Sequence, residues 1–185
     1  MEQRLRWAIP LVLVVAAGAA ASDYMAARQK IDLIEGDRLK PGSRIELTAP
    51  ELTAYAQHEM PAGVRDARVA VIAPGVATGS ALVDFGKVRR AQGYQPGWLM
   101  SQLLDGERPV SVTARIQSAN GTARVDVQQV QISGIQIDGA TLDFLIRNVL
   151  LPLYPAAAVS RPFELGHRIE KLDVQPRAVG VVIGK

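Results

Sequence analysis

The stretch VSVTARIQSANGTARVDVQQVQI, from Val110 to Ile132, decides the fold. Val110, Val112, Ala114 and Ile116 alternate with polar residues, the period of a strand with one buried face. Asn120-Gly121 follows, and these are the two residues that best accept the positive φ of a two-residue hairpin turn. The return run keeps the alternation at Ala123, Val125 and Val127, then changes parity at Gln128-Gln129 to Val130 and Ile132. A change of parity within a strand predicts a bulge or an exchange of faces. A long antiparallel hairpin therefore stands at the centre of the chain.

Working towards the N-terminus, Val69 and Val71 share one strand face, Pro74-Gly75 turns the chain, and Ala77, Gly79, Ala81, Val83 and Phe85 line the return. This reads as a second hairpin. Gly79, Ser80 and Ala81 are unusually small for mid-strand positions, where glycine marks a bulge, a bend or the close approach of another group. Lys87, Arg89 and Arg90 form the one dense basic spot and read as a solvated strand end or turn. Further back, Ile45 and Leu47 suggest a short strand, and Thr48-Ala-Pro-Glu51 fits a capping box with proline in the first turn. That helix is expected to run to about Met60 and to stop at Pro61-Ala-Gly63, with Leu52, Tyr55, Ala56 and Glu59 on one face.

Just ahead of Val110, Gly97–Leu104 reads as a helix carrying Trp98 and Leu99. Gly134 to Asp138 reads as a short extended piece. Thr141 is placed to cap a helix whose Leu142, Leu145, Ile146, Val149, Leu150 and Leu153 cover one broad side, ended by Pro152 and Pro155. Phe163-Glu-Leu165 and Ile169–Ile183 read as strands, with a turn at Pro176-Arg177. The class is α+β, a long curved antiparallel sheet wrapped around or packed on about three helices, in a single domain over residues 44–185.

Residues 1–21 carry Arg4 and Arg6 ahead of the apolar run Trp7–Ala21, which ends in small residues. This is the pattern of a secretory signal peptide, with cleavage expected after Ala21 or after Ala19. The alternative is an uncleaved N-terminal anchor, which the same arginines would orient. In either case the rest of the chain is expected outside the cytoplasm, periplasmic or secreted, or tethered to the inner membrane. Residues 22–43 are charged and mixed and read as a tether or peripheral segment, within which Ile31, Leu33 and Ile34 suit a short docking element.

Of the 185 residues none is cysteine, which excludes disulfides, thiolate chemistry and a lipid-modified N-terminus. The 164 residues beyond the export segment suffice for one core without staples. A formal charge of +3, without clustering, does not point to nucleic acid. His58 and His167 are the only histidines and are read as a helix-end and a turn residue, not as a metal pair. Ser80 lacks the strand-turn-helix context of a nucleophile, and no glycine-rich phosphate loop occurs. Asp84, Asp126 and Asp138 read as outward sheet residues. No catalytic residue, metal ligand or cofactor is expected.

In order, Pro109-Val-Ser-Val, Ser118-Ala-Asn-Gly, Val125-Asp-Val-Gln-Gln-Val-Gln-Ile-Ser-Gly134, Ile135-Gln-Ile-Asp before a leucine-rich helix, Pro162-Phe-Glu-Leu and Ile169-Glu-Lys-Leu-Asp-Val resemble small bacterial envelope proteins of the LmeA type. These look like a single minimal unit of the tubular lipid-binding (TULIP) fold. The resemblance covers roughly residues 46–183, with Leu165-Gly166 here where the family often reads Leu-Pro. It implies a sheet wrapped on a helix with an apolar groove for phospholipid-like acyl chains, and no enzymatic activity. The lining expected on that basis is Val83, Phe85, Trp98, Leu99, Leu142, Leu145, Ile146, Val149 and Leu150. Lys87, Arg89 and Arg90 are candidates for a headgroup phosphate, and a membrane surface is a candidate partner. The competing expectation is an envelope scaffold or assembly factor that acts through protein contacts, with no ligand inside.

Overall fold

The structure, a computed structural model, describes residues 8–91, 106–147 and 160–185. In chain order the elements are α1 (Ala8–Glu35), β1 (Arg44–Thr48), α2 (Ala49–His58), β2 (Val64–Ala73), β3 (Val76–Asp84), α3 (Phe85–Ala91), β4 (Glu107–Ala119), β5 (Thr122–Ile132), β6 (Ile135–Ile137), α4 (Gly139–Leu145), β7 (Phe163–Glu164), β8 (Ile169–Gln175) and β9 (Ala178–Ile183). The architecture is α+β and the strand pairings are antiparallel.

The strands divide between two sheets. The larger runs β2-β3-β4-β5-β6, with β7 added to β5, and the smaller runs β1-β9-β8. Asn120 (φ 51) and Gly121 (φ 74) make the turn that the Asn-Gly pair predicts. At the parity change, Thr113 pairs with Gln129 and Ala114 with Val127, so Gln128 is the extra residue of a bulge. A second irregularity falls between Arg65 and Arg68 on β2. Each keeps one apolar set on one face. Val69, Gly79, Val112 and Val130 lie in direct cross-strand register on what is called here the inner face. Arg68, Ser80, Ser111 and Gln131 form the matching row on the outer face.

The smaller sheet packs under α1 and α2. Ala27 and Ile34 of α1, Leu47 of β1, and Val181 and Ile183 of β9 form a buried cluster. Helix α1 runs unbroken through position 21, and part of segment 22–43 thus belongs to this core. Tyr24 stacks on His58 at 4.0 Å between ring centres, tying α1 to the end of α2. At the start of α2 the capping box forms, the Thr48 amide donating to Glu51 Oε2 at 2.8 Å and the Glu51 amide to Thr48 Oγ1 at 3.4 Å. Lys30 Nζ of α1 donates to both oxygens of Glu51 at 2.7 and 2.8 Å and to the Glu46 carbonyl at 2.7 Å.

The two sheets meet where the hairpin tips of the larger one touch β8. The amides of Gly75 and Gly121 donate to the carbonyls of Val174 (2.9 Å) and Glu170 (2.8 Å). Between them the Ser118 hydroxyl donates to the Leu172 carbonyl at 3.0 Å and accepts from the Leu172 amide at 2.7 Å. Along β2, α2 plays the same part: Thr53 Oγ1 accepts from the Val69 amide (2.9 Å) and donates to its carbonyl (3.2 Å), and Gln57 Nε2 donates to the Ala67 carbonyl (2.9 Å).

Two local expectations are corrected. The strand through Val83 ends at Asp84, and Phe85 opens α3, so Lys87, Arg89 and Arg90 stand on a helix and not on a strand end or turn. Asp84 Oδ1 accepts the Lys87 amide at 2.9 Å, the side-chain-to-backbone bond that starts a helix. Thr141 does not cap the next helix. Asp138 holds the N-cap position in extended conformation, without a side-chain cap bond, because β6 leaves the sheet after Ile137 and the chain coils at once. The helix expected at Gly97–Leu104 lies outside the described residues.

Candidate functional site: an apolar cavity on the inner face

A cavity of about 430 Å³ lies against the inner face of the larger sheet. Its floor is the registered rows Val69–Gly79–Val112–Val130 and Ala81–Val110–Ile132. Ala56, Met60 and Pro61 from the end of α2, Phe85 from α3, and Leu142 and Ile146 from the α4 region complete its described wall. Arg68 and Ser80 are the only polar residues on that wall, and their register places both on the outer face. A side chain built on Gly79 meets no atom within 4 Å, so the small residues read as a bulge, bend or close approach instead border open space.

Of the lining expected from sequence, Val83, Phe85, Leu142 and Ile146 border this cavity. Trp98, Leu99, Val149 and Leu150, and the side chain of Leu145, lie outside the described residues. So do the side chains of Arg89 and Arg90. Lys87 is exposed and its ammonium sits 3.4 Å from Asp84 Oδ2, paired at the start of its own helix. Sequence reading missed the contribution of β2 (Val64, Ala67, Val69), because Val64 differs in parity from Ala67 and Val69 and only the irregularity between Arg65 and Arg68 brings all three to one face.

It also did not single out Arg108, which stands beside the cavity and not on its described wall. This residue pairs with Val83 across β3 and β4 and precedes Val110 by two, so it shares their face. It is half-buried, and its Nε is shielded from solvent without a hydrogen-bond partner. The carboxylates around it are engaged elsewhere. Arg65 donates to both oxygens of Glu107, at 2.9 and 2.6 Å, and to Asp66 Oδ2 at 2.5 Å, while Asp84 holds Lys87. The Arg65 bonds hold the Glu107 carboxyl below the usual range. On the outer face a second cavity of about 400 Å³ is bordered by Arg68, Ser80, Ser111 and Gln131, among others.

His58 stacks on Tyr24 and its Nδ1 lies 3.4 Å from Glu59, while His167 sits in a turn at φ 45. Among the described residues, no three of histidine, cysteine, aspartate and glutamate converge to hold a metal ion. Nor is any helix of the described residues long and apolar enough to cross a membrane. Comparison with family models, curated proteins and solved structures finds no match.

Proposed function

We propose that the protein is an exported, non-enzymatic lipid-binding protein that holds phospholipid-like acyl chains in the inner-face cavity. The observation that carries this reading is an apolar hollow of about 430 Å³ bordered by aliphatic side chains of four strands and by helix ends. Its size falls within the range of about 300–1,000 Å³ typical of small-ligand sites. The open space over Gly79 supports it further, since folded cores otherwise close such gaps. The likeness of the second half to LmeA-type envelope proteins points the same way, and residues 1–21 supply the route to the periplasm or beyond.

The test is native mass spectrometry of the exported protein, followed by organic extraction. Adducts in the phospholipid mass range are expected, and Gly79→Leu, which fills the hollow from its floor, is expected to lose them while keeping a cooperative melt. A clean apo mass with no uptake from phospholipid vesicles overturns the reading. It would favour the scaffold alternative, for which Ile72 and Ile135, 60% and 67% exposed, offer contact points.

A further inference from the structure

We infer that the ligand of the inner-face cavity is an acidic amphiphile, its carboxylate or phosphate head held by Arg108; this rests on the reading of the cavity as a lipid site. The inner face is chemically graded. From the row Val69–Gly79–Val112–Val130 it is aliphatic, and its last row, Val64–Val83–Arg108, ends in a guanidinium. An arginine keeps its charge at any pH a protein survives and presents five donors. Here the Nε donor has no partner among the described residues, a costly state in a folded chain. The half-buried residue stands beside Val83 and Val110 of the cavity wall without itself bordering the cavity. Glu107, Asp66 and Asp84 are bound to Arg65 and Lys87, so the described part of the chain offers Arg108 no counter-charge.

An anion arriving with an apolar tail satisfies both halves of the gradient at once. The tail covers the aliphatic rows, and the head pairs with a guanidinium whose planar fork matches carboxylate and phosphate oxygens. Lys87, by contrast, already has its carboxylate, which makes Arg108 the better headgroup contact.

The experiment compares hexadecanoate and hexadecyl phosphate with uncharged hexadecanol, each displacing a fluorescent acyl probe from the full chain and from Arg108→Gln and Arg108→Lys. The two acids are expected to bind about tenfold or more tighter than the alcohol, the effect of a charge-assisted hydrogen bond. Arg108→Gln is expected to bring the acids to the level of the alcohol without changing alcohol binding, which also shows that the variant is folded. Arg108→Lys is expected to restore part of the preference. Equal binding of acid and alcohol by the unaltered protein, or a preference that survives Arg108→Gln, overturns the assignment while leaving the lipid cavity standing. Binding of none of the three overturns the cavity reading itself. Displacement of the probe by inorganic phosphate as well as by hexadecyl phosphate makes Arg108 a free-anion site and likewise overturns the amphiphile.

Discussion

Lys30 closes a contact that the capping box leaves incomplete. Glu51 is buried, and burial pushes its carboxyl pKa up, but the bonds from Lys30 and from Thr48 more than offset this and leave it below the ordinary glutamate value. A depressed folded-state pKa contributes stability above the unfolded value of about 4.3, and that contribution disappears as pH falls below it. Lys30→Met is therefore expected to cost about 1.5–3 kcal/mol at neutral pH, read as a lower urea midpoint with unchanged slope. The penalty is expected to shrink when the titration is repeated below pH 4. Gly63 is constrained by two independent facts. Its φ is 92°, and an added Cβ would lie 2.9 Å from both Lys87 Cβ and the Val88 amide nitrogen at the start of α3. Gly63→Ala is expected to lower stability by about 2–4 kcal/mol, the sum of a left-handed backbone and overpacking, measurable by the same denaturation. The cap at Thr48–Glu51 was legible because its partners are three residues apart. Lys30 was not, since a partner 21 residues away carries no local signal. Arg108 escaped for a related reason: one arginine in a strand says nothing until register shows which face it occupies.

At the level of elements, the hairpins were the most legible part, because a period of two and an Asn-Gly pair act over a few residues. The extra residue at Gln128 could be read from the change in parity alone. Helix α3 could not: Phe85 continues the alternation of Val83, and only the Asp84 bond to the Lys87 amide shows that the strand has stopped. The junction of the two sheets was equally hidden, since it depends on the tips of two hairpins reaching one strand. Ser118 supplies both a donor and an acceptor to Leu172 there. Ser118→Ala leaves a strand amide and carbonyl without that partner and is expected to cost about 1–3 kcal/mol. Hydrogen exchange at the Leu172 amide is expected to accelerate well beyond that at β9 amides bonded within the small sheet. Equal acceleration of both would mean that the junction does not open locally.

For the molecule as a whole, the cavity makes stability depend on what fills it. A ligand that binds only the folded state at 100 times its Kd adds about 2.7 kcal/mol. On the lipid-binding proposal, the purified protein is expected to melt higher before organic extraction than after it, and Gly79→Leu is expected to remove the difference. The site was only partly legible beforehand. Which faces are apolar follows from sequence, but whether two apolar faces close on each other or stay apart depends on packing distances, and these appear only in three dimensions.

Each sheet ends in strands whose outer backbone groups could recruit a second chain. Here β8 meets the hairpin tips, β2 meets Thr53 and Gln57, the Glu46 carbonyl of β1 takes Lys30, and β6 is only three residues long. The consequence concerns crowding: in a concentrated compartment these edges give little foothold for strand-by-strand polymerisation. The unaltered protein is expected to stay monodisperse in light scattering, whereas replacing Thr53 and Gln57 together by valine and leucine is expected to give thioflavin-positive fibres.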